Sequence, residues 1–268
     1  MRIKIRHETH YVLEQAARRA MQYLRLTPRN DRNQRVGNWS ISGPEKLTQW
    51  LDGFGNVVHF ASEHTDHNDL KIVVEGEVET KETNGVLPLD DGLPPGMFMR
   101  PTPLIKCDEV LGAFSDELKG IIEKDGELSF LHALMAALAD EVTYESGQST
   151  VACSATEVFE RKKGVCQDFA HLFIAGCHRQ NIPTRYVSGY ITNGAGDPAS
   201  HAWAESYVSG LGWVSFDPAN RQCATESYVR LAVAYDYATA APIIGVRTGG
   251  QGEQMNVNVQ VDQVQVQS

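Results

Sequence analysis

The segment around Cys166 has the residue types and spacing of a thiol nucleophile at the start of a helix. Apolar residues recur at helical spacing from Phe169 to Cys177, and Pro183 ends the predicted helix. Cys166 lies on the same face, in the first turn, where the positive end of the helix dipole favours a thiolate. Gly164 allows another part of the chain to approach closely just before it.

A predicted β-hairpin can bring an imidazole and a carboxylate to the same place. Alternating residues predict two strands, 200–208 and 212–218, after an earlier strand, 184–191. His201 begins the first hairpin strand and Asp217 ends the second, so both lie at one end of the hairpin. A two-residue turn at Ser209 and Gly210 would set Asp217 opposite Ala202, and a four-residue loop would set it opposite Ala204. Both registers are open.

A thiol, an imidazole and a carboxylate form a nucleophile, a base and an orienting group. His201 would take the proton of Cys166 and return it to a leaving amine, while Asp217 fixes the imidazole tautomer. The backbone N–H of Cys166 can help to bind the oxyanion, where one donor is worth about 3 kcal/mol. These residues predict an enzyme that transfers acyl groups at amide bonds through Cys166, His201 and Asp217.

Three segments that contain these residues resemble the characteristic blocks of the bacterial transglutaminase-like family, one of the papain-like thiol enzyme families. The blocks are Gly164 to His171, His201 to Glu205, and Gly212 to Pro218. Residues 182–190 and 235–245 resemble the same family, and residues 24–28 and 52–56 resemble its β-rich N-terminal domain. The resemblance implies an α+β fold, in which a papain-like transglutaminase core packs the cysteine helix on an antiparallel sheet.

Other side chains near the three blocks are candidates for substrate or oxyanion binding. Gln167 follows the cysteine where animal transglutaminases carry Trp, so the substrate tunnel of those enzymes is not implied. Trp203 and Trp213 flank the catalytic positions and could line the substrate groove or assist the oxyanion, or pack in the core. Asp168 and His171 could tune the thiol, although capping or solvating the helix is the preferred interpretation.

The predicted activity is hydrolysis of peptide or side-chain amides in a peptide or protein substrate, as in a cysteine protease or amidase. The alternatives are protein-glutamine cross-linking, a peptide-N-glycanase-like activity, and a non-catalytic binding module that keeps the fold. Water exclusion and an amine site decide between hydrolysis and cross-linking, and the sequence specifies neither. Retention of all three residue types weighs against the binding module.

Breaks in the pattern divide the chain into three parts. Residues 1–83 are predicted to form a β-rich N-terminal domain, 84–103 a linker rich in Pro and Gly, and 104–268 the catalytic core. Residues 13–26 combine helix-favouring composition with strand-like flanks, so both structures remain open. Residues 255–261 alternate as a strand.

Composition excludes several classes of function. The chain has 268 residues, 42% hydrophobic and 22% charged, with a net charge of −10 that argues against nucleic-acid binding. No run approaches the roughly 20 apolar residues of a membrane span, and the charged start lacks a signal-peptide core, so a cytoplasmic location is expected. The oligomeric state is open.

Neither a cofactor nor a metal is predicted. Five cysteines without a CxxC pair argue against a disulfide framework and a structural zinc site. His59, His64 and His67 could bind a metal, but histidines of a turn-rich segment are usually solvated. No EF-hand pattern is present, so we expect no calcium requirement.

Overall fold

The N-terminal part of the chain folds around one very long strand. The computed structural model describes residues 1–43, 47–87, 92–192 and 200–264. The first five strands are β1 (Arg2–Thr27), β2 (Gln34–Ser42), β3 (Thr48–Leu51), β4 (Val57–Glu63) and β5 (His67–Thr80). They form one antiparallel sheet in the order β2-β5-β1-β4-β3, with β1 at its centre.

Strand β1 settles the ambiguity at residues 13–26 in favour of a strand. Its first half pairs with β5 and its second half with β4, so its backbone is hydrogen-bonded at both ends. The side chains of Leu13, Ala17, Ala20, Leu24 and Leu26 are buried. Pairing and burial therefore override the helical preference of Ala, Arg and Gln in this segment.

The central part of the chain forms a second sheet covered by helices. Its elements are β6 (Val86–Leu87), α1 (Glu109–Glu117), α2 (Lys119–Asp125), α3 (Glu127–Glu141), β7 (Thr143–Tyr144), α4 (Ala155–Arg161), β8 (Lys163–Gly164), α5 (Cys166–Arg179), β9 (Thr184–Ile191), β10 (Ser200–Val208), β11 (Gly212–Phe216), β12 (Tyr228–Ala234) and α6 (Tyr237–Ala240). The antiparallel sheet has the order β12-β9-β10-β11-β6, and α5 packs against β9 and β10. This is the predicted α+β arrangement of a cysteine helix on an antiparallel sheet.

The last strand, β13 (Ile243–Gln263), corrects the predicted division of the chain. The sequence pattern assigns residues 104–268 to the core, but β13 pairs antiparallel with β1 from Ile3 to Leu24. Its Val259 and Val261 pack with the cluster that contains Ile3 and Ile5, and burial of these apolar side chains fixes its position. The N-terminal sheet is thus built from both ends of the chain.

The predicted linker takes part in the packing of the core. Strand β6 pairs with β11, and a 3-10 helix, Pro95–Met99, buries Phe98 against Trp213. Residues 88–91 of this segment lie outside the described residues. Within the described ranges, no helix combines the length and apolar character needed to cross a bilayer.

The hairpin of β10 and β11 adopts neither of the two registers considered. Val208 pairs with Gly212 and Ala204 with Phe216, so the loop has three residues. Gly210 and Gly212 have φ values of 82° and 92°, the left-handed conformation that three-residue hairpin loops require. Beyond Phe216 the chain leaves the hairpin, and Asp217 pairs with Gln222 instead.

Candidate active site

Cys166 is the first residue of α5, and its position depends on an unusual helix cap. The buried Asp168 reaches back and accepts a hydrogen bond from the backbone N–H of Val165 at 2.8 Å and another from the hydroxyl of Ser149. A Cβ atom at Gly164 would lie 2.7 Å from the Cβ of Asp168, so only glycine leaves room for this cap. Asp168 therefore caps the helix that presents the thiol.

The structure brings His201 and Asp217 together as the sequence predicted. Nε2 of His201 donates to Oδ2 of Asp217 at 2.6 Å, and the carboxylate is fully buried. Nδ1 is then the ring nitrogen left for Cys166, which lines the same cleft and lies close enough to His201 to influence its pKa. The imidazole therefore has the carboxylate on one side and shares the cleft with the thiol.

The local charges favour a protonated His201. Burial alone lowers the pKa of His201, but the hydrogen bonds to Asp217 and Cys166 and the charges of both raise it to about 10. The imidazolium form is thus stable at neutral pH.

Two residues that sequence reasoning missed hold Asp217 in place. The hydroxyl of Tyr228 and the amide Nδ2 of Asn220 each donate to Oδ2 of Asp217 at 2.7 Å. The backbone N–H of Asn220 also donates to Oδ1 at 3.2 Å. A buried carboxylate requires such donors, but the sequence alone does not specify which residues supply them.

The three residues predicted to bind substrate or oxyanion lie in different places. Gln167 lines the cleft beside Cys166, and its amide donates to the backbone oxygen of Val151 at 3.2 Å. Trp203 is buried behind His201, with its ring nearly parallel to the imidazole at 6.3 Å. Trp213 lies in the core, where the guanidinium of Arg185 stacks on its ring at 3.9 Å. The two tryptophans therefore pack in the interior and do not line the cleft.

Tyr186 and His171 form a second buried layer below the nucleophile. Their rings lie 5.1 Å apart, and Nε2 of His171 accepts a hydrogen bond from the backbone N–H of Tyr237. Burial lowers the pKa of His171 to about 4, so this histidine is neutral. Burial, followed by the charge of Cys166, raises the pKa of Tyr186 well above 10. Tyr186 therefore keeps its phenolic proton next to the thiol.

A cleft of about 290 Å³ opens over Cys166 and His201. One side is formed by the core residues Gln167, Tyr186 and Tyr237, and the other by β1 and β13. The N-terminal sheet is therefore part of the candidate site.

Of the three histidines considered as metal ligands, two lie on strands, and His64 lies in the connection between β4 and β5. His59 belongs to β4 and binds the side chain of Gln49 at 3.1 Å, and burial lowers its pKa. His67 begins β5 and contacts the backbone oxygen of Thr65. In the described part of the chain, no three His, Cys, Asp or Glu side chains converge as metal ligands do.

The comparisons with known proteins agree with this fold. An uncharacterized protein of Mycobacterium leprae is 27% identical, over 97% of this chain and 98% of its own length. One of Mycobacterium tuberculosis is also 27% identical, over 97% of this chain and 92% of its own. The crystal structure of a proposed cysteine protease from Cytophaga hutchinsonii has a TM-score of 0.79 and 21% identity, and the match covers 100% of this chain and 92% of that one.

The family matches cover both parts of the chain. Residues 116–218 match the core of the transglutaminase-like superfamily, and residues 3–79 match the bacterial transglutaminase-like N-terminal region. The first match contains the cysteine helix and the hairpin, and the second contains most of the N-terminal sheet. The chain therefore belongs to the transglutaminase-like superfamily, as a member that joins the core to the bacterial N-terminal region.

Proposed function

We propose that this protein hydrolyses amide bonds of peptides or proteins through a thioester on Cys166. The observation that carries the proposal is the 2.6 Å hydrogen bond from His201 to the buried Asp217, with the same imidazole in one cleft with Cys166 at the start of α5. This arrangement has the nucleophile, base and orienting group of a thiol hydrolase. Membership of the superfamily supports the same chemistry.

The reaction would proceed in two balanced steps. The thiolate of Cys166 attacks the amide carbon, the C–N bond breaks, and His201 gives its proton to the leaving amine. Water then attacks the thioester, His201 takes a proton from that water, and the acid and the free thiolate separate. Asp217 stabilises the imidazolium in both steps and holds the ring in the correct tautomer.

The oxyanion would be stabilised at the start of α5. The backbone N–H of Cys166 belongs to the first turn, where helical N–H groups have no partner within the helix. The amide of Gln167 and the protonated phenol of Tyr186 line the same cleft and are further donors. In contrast to these groups, Trp203 and Trp213 are buried away from the cleft, so we assign them no contact with substrate.

Water is the acceptor that the cleft favours. Cys166 is partly exposed, and Met255 and Val257 on the opposite side of the cleft are 57% and 50% exposed. Water therefore reaches the thioester. Cross-linking requires an amine that competes with this water, and added primary amine tests it directly.

The test is alkylation by iodoacetamide across pH, with peptide mapping, on the wild type and on His201→Ala. We expect Cys166 to react below pH 7, faster than the other four cysteines, and to lose this advantage in the variant. Cys153 is an internal control, because a backbone hydrogen bond from Thr150 lowers its pKa although it lies outside the cleft. Equal reactivity of Cys166 and the other cysteines would instead support a binding module.

A second assay separates the possible acceptors. Internally quenched peptides report hydrolysis, and a fluorescent primary amine reports transfer to an amine. Cleavage that requires Cys166 and incorporates no amine supports a hydrolase. Incorporation of the amine in place of cleavage would favour cross-linking.

A further inference from the structure

The cleft has one side that belongs to neither the cysteine helix nor the hairpin. Thr9 and Tyr11 of β1 pair directly with Val257 and Met255 of β13. Directly opposed residues of an antiparallel pair place their side chains on the same face. All four line the cleft above Cys166. We call this group, Thr9, Tyr11, Met255 and Val257, the cleft wall.

Packing further along the same strands fixes the position of the cleft wall. Ile3 and Ile5 of β1 lie on the same face as Thr9, and they pack with Tyr190 and Leu231 of the core sheet. Between them, the buried His7 contacts the hydroxyl of Tyr190 at 2.7 Å. The strands that carry the wall are therefore fastened to the sheet that carries His201.

Apart from the catalytic groups, the described residues that line the cleft are uncharged. Among the described residues, no Asp, Glu, Lys or Arg lines it. His7 uses both ring nitrogens, one on Tyr190 and the other on Thr9 at 3.0 Å, and burial lowers its pKa to about 4. Burial also raises the pKa values of the three tyrosines in the cleft. At neutral pH, a charged substrate side chain would lose its hydration here without gaining a counter-charge.

The cleft instead offers apolar contact. The side chains of Met255 and Val257 are about half exposed, so they can gain apolar contacts when a substrate binds. A volume of about 290 Å³ is at the low end for ligand pockets, which suits one large side chain next to the scissile bond. Since the acyl group remains bound to the sulfur of Cys166 through the thioester, the cleft around that sulfur meets the acyl-side residue in both steps.

We propose that the cleft wall selects substrates with a large uncharged side chain, aromatic or aliphatic, on the acyl side of the scissile bond. This inference rests on the proposed function and adds the substrate class to it. The N-terminal sheet and the last strand then act as a specificity element of the catalytic site.

The test uses peptidyl chloromethyl ketones that differ only in the residue next to the reactive carbon: Phe, Leu, Asp or Lys. Each alkylates the thiolate of Cys166 and releases chloride, and mass spectrometry of the intact protein gives the rate. We expect the Phe and Leu probes to react at least about tenfold faster than the Asp and Lys probes in the wild type. Equal rates for the four probes would overturn the inference.

A charge placed on the wall should change this preference. Val257→Glu adds a carboxylate to the wall, and we expect the ratio of the Phe rate to the Lys rate to fall at least about tenfold. Val12→Glu is the matched control, because Val12 is next to Tyr11 on β1, points to the opposite face of the sheet and is 37% exposed. If Val257→Glu does not fold, Met255→Glu replaces it. An unchanged ratio in a folded wall variant contradicts the inference.

Iodoacetamide separates this inference from the proposed function. The reagent has no side chain to select, so it reports the nucleophile alone. If Cys166 reacts selectively with iodoacetamide but equally with all four probes, the specificity inference fails and the proposed function stands. If Cys166 shows no selective reaction with iodoacetamide, the proposed function fails, and the inference fails with it.

Discussion

Replacing Asp217 by asparagine tests the pairing on which the proposed chemistry depends. The substitution keeps the shape of the side chain but removes the charge that faces Nε2 of His201. The amide nitrogen that the substitution introduces can donate to Nε2, which would leave the imidazole proton on Nδ1, facing Cys166. In that tautomer His201 cannot accept the thiol proton.

The size of the effect follows from the pKa of His201. Its shift from 6.5 to about 10 represents roughly 5 kcal/mol in favour of the imidazolium, at about 1.4 kcal/mol per pKa unit. Asp217 and Cys166 together raise the pKa of His201. If Asp217 supplies half of the shift, its loss lowers the pKa of His201 by about 1.75 units and disfavours the imidazolium about 60-fold. The rate of alkylation of Cys166 at pH 6 should therefore fall by at least about tenfold.

The assay is the pH profile of iodoacetamide alkylation at Cys166, measured from pH 5 to 9 by peptide mapping. Asp52→Asn is the matched control, because Asp52 is also a largely buried carboxylate that binds backbone N–H groups, but it lies in a turn of the N-terminal sheet. An unchanged profile in Asp217→Asn, or an equal change in Asp52→Asn, would refute the reasoning.

Three further predictions concern stability, and urea unfolding measures each of them. Tyr228→Phe removes one donor from the buried Asp217 and should lower the free energy of unfolding by about 1.5–3 kcal/mol; no loss would mean that this hydrogen bond is dispensable. Glu205 binds two arginines in the core, and Glu205→Gln removes the negative charge that they share, so it should lower the free energy of unfolding by about 3–5 kcal/mol. Glu141→Gln, in an exposed ion pair, should lower it by at most about 1 kcal/mol. His7 has a folded pKa of about 4, below 6.5, so its contribution is present above pH 6.5 and is lost as the pH falls through 4. Between these values, His7→Gln should reduce the slope of unfolding free energy against pH by about 1.4 kcal/mol per unit, and an unchanged slope would show that His7 is protonated in the folded state.

Local patterns predicted the elements that carry the candidate site. Helix α5 and strands β9, β10 and β11 follow from periodicity over a few residues. The register of the hairpin did not follow. Gly210 in the loop and Gly212 at the start of β11 both adopt the left-handed conformation, which alternation along the strands cannot reveal.

Contacts between distant parts of the chain were beyond the sequence. The alternation at 255–261 correctly predicted a strand, but nothing in that pattern identifies β1 as its partner. The donors to Asp217 could not be predicted for the same reason, because Tyr228 reaches the carboxylate only when β12 pairs with β9. Burial of a carboxylate predicts that donors exist, and tertiary structure decides which residues they are.

The pairing of β13 with β1 also decides how the N-terminal sheet can be studied. Deleting residues 1–83 would remove Ile3 and Ile5 from a cluster that also contains Tyr190, Val229 and Leu231 of the core sheet. It would also leave β13, a strand of 21 residues, without its partner β1, and exposed strands of that length tend to aggregate. Loss of activity after such a deletion would therefore report loss of folding. Single substitutions on the cleft wall leave both contacts in place, so they separate the role of the N-terminal sheet in substrate selection from its role in stability.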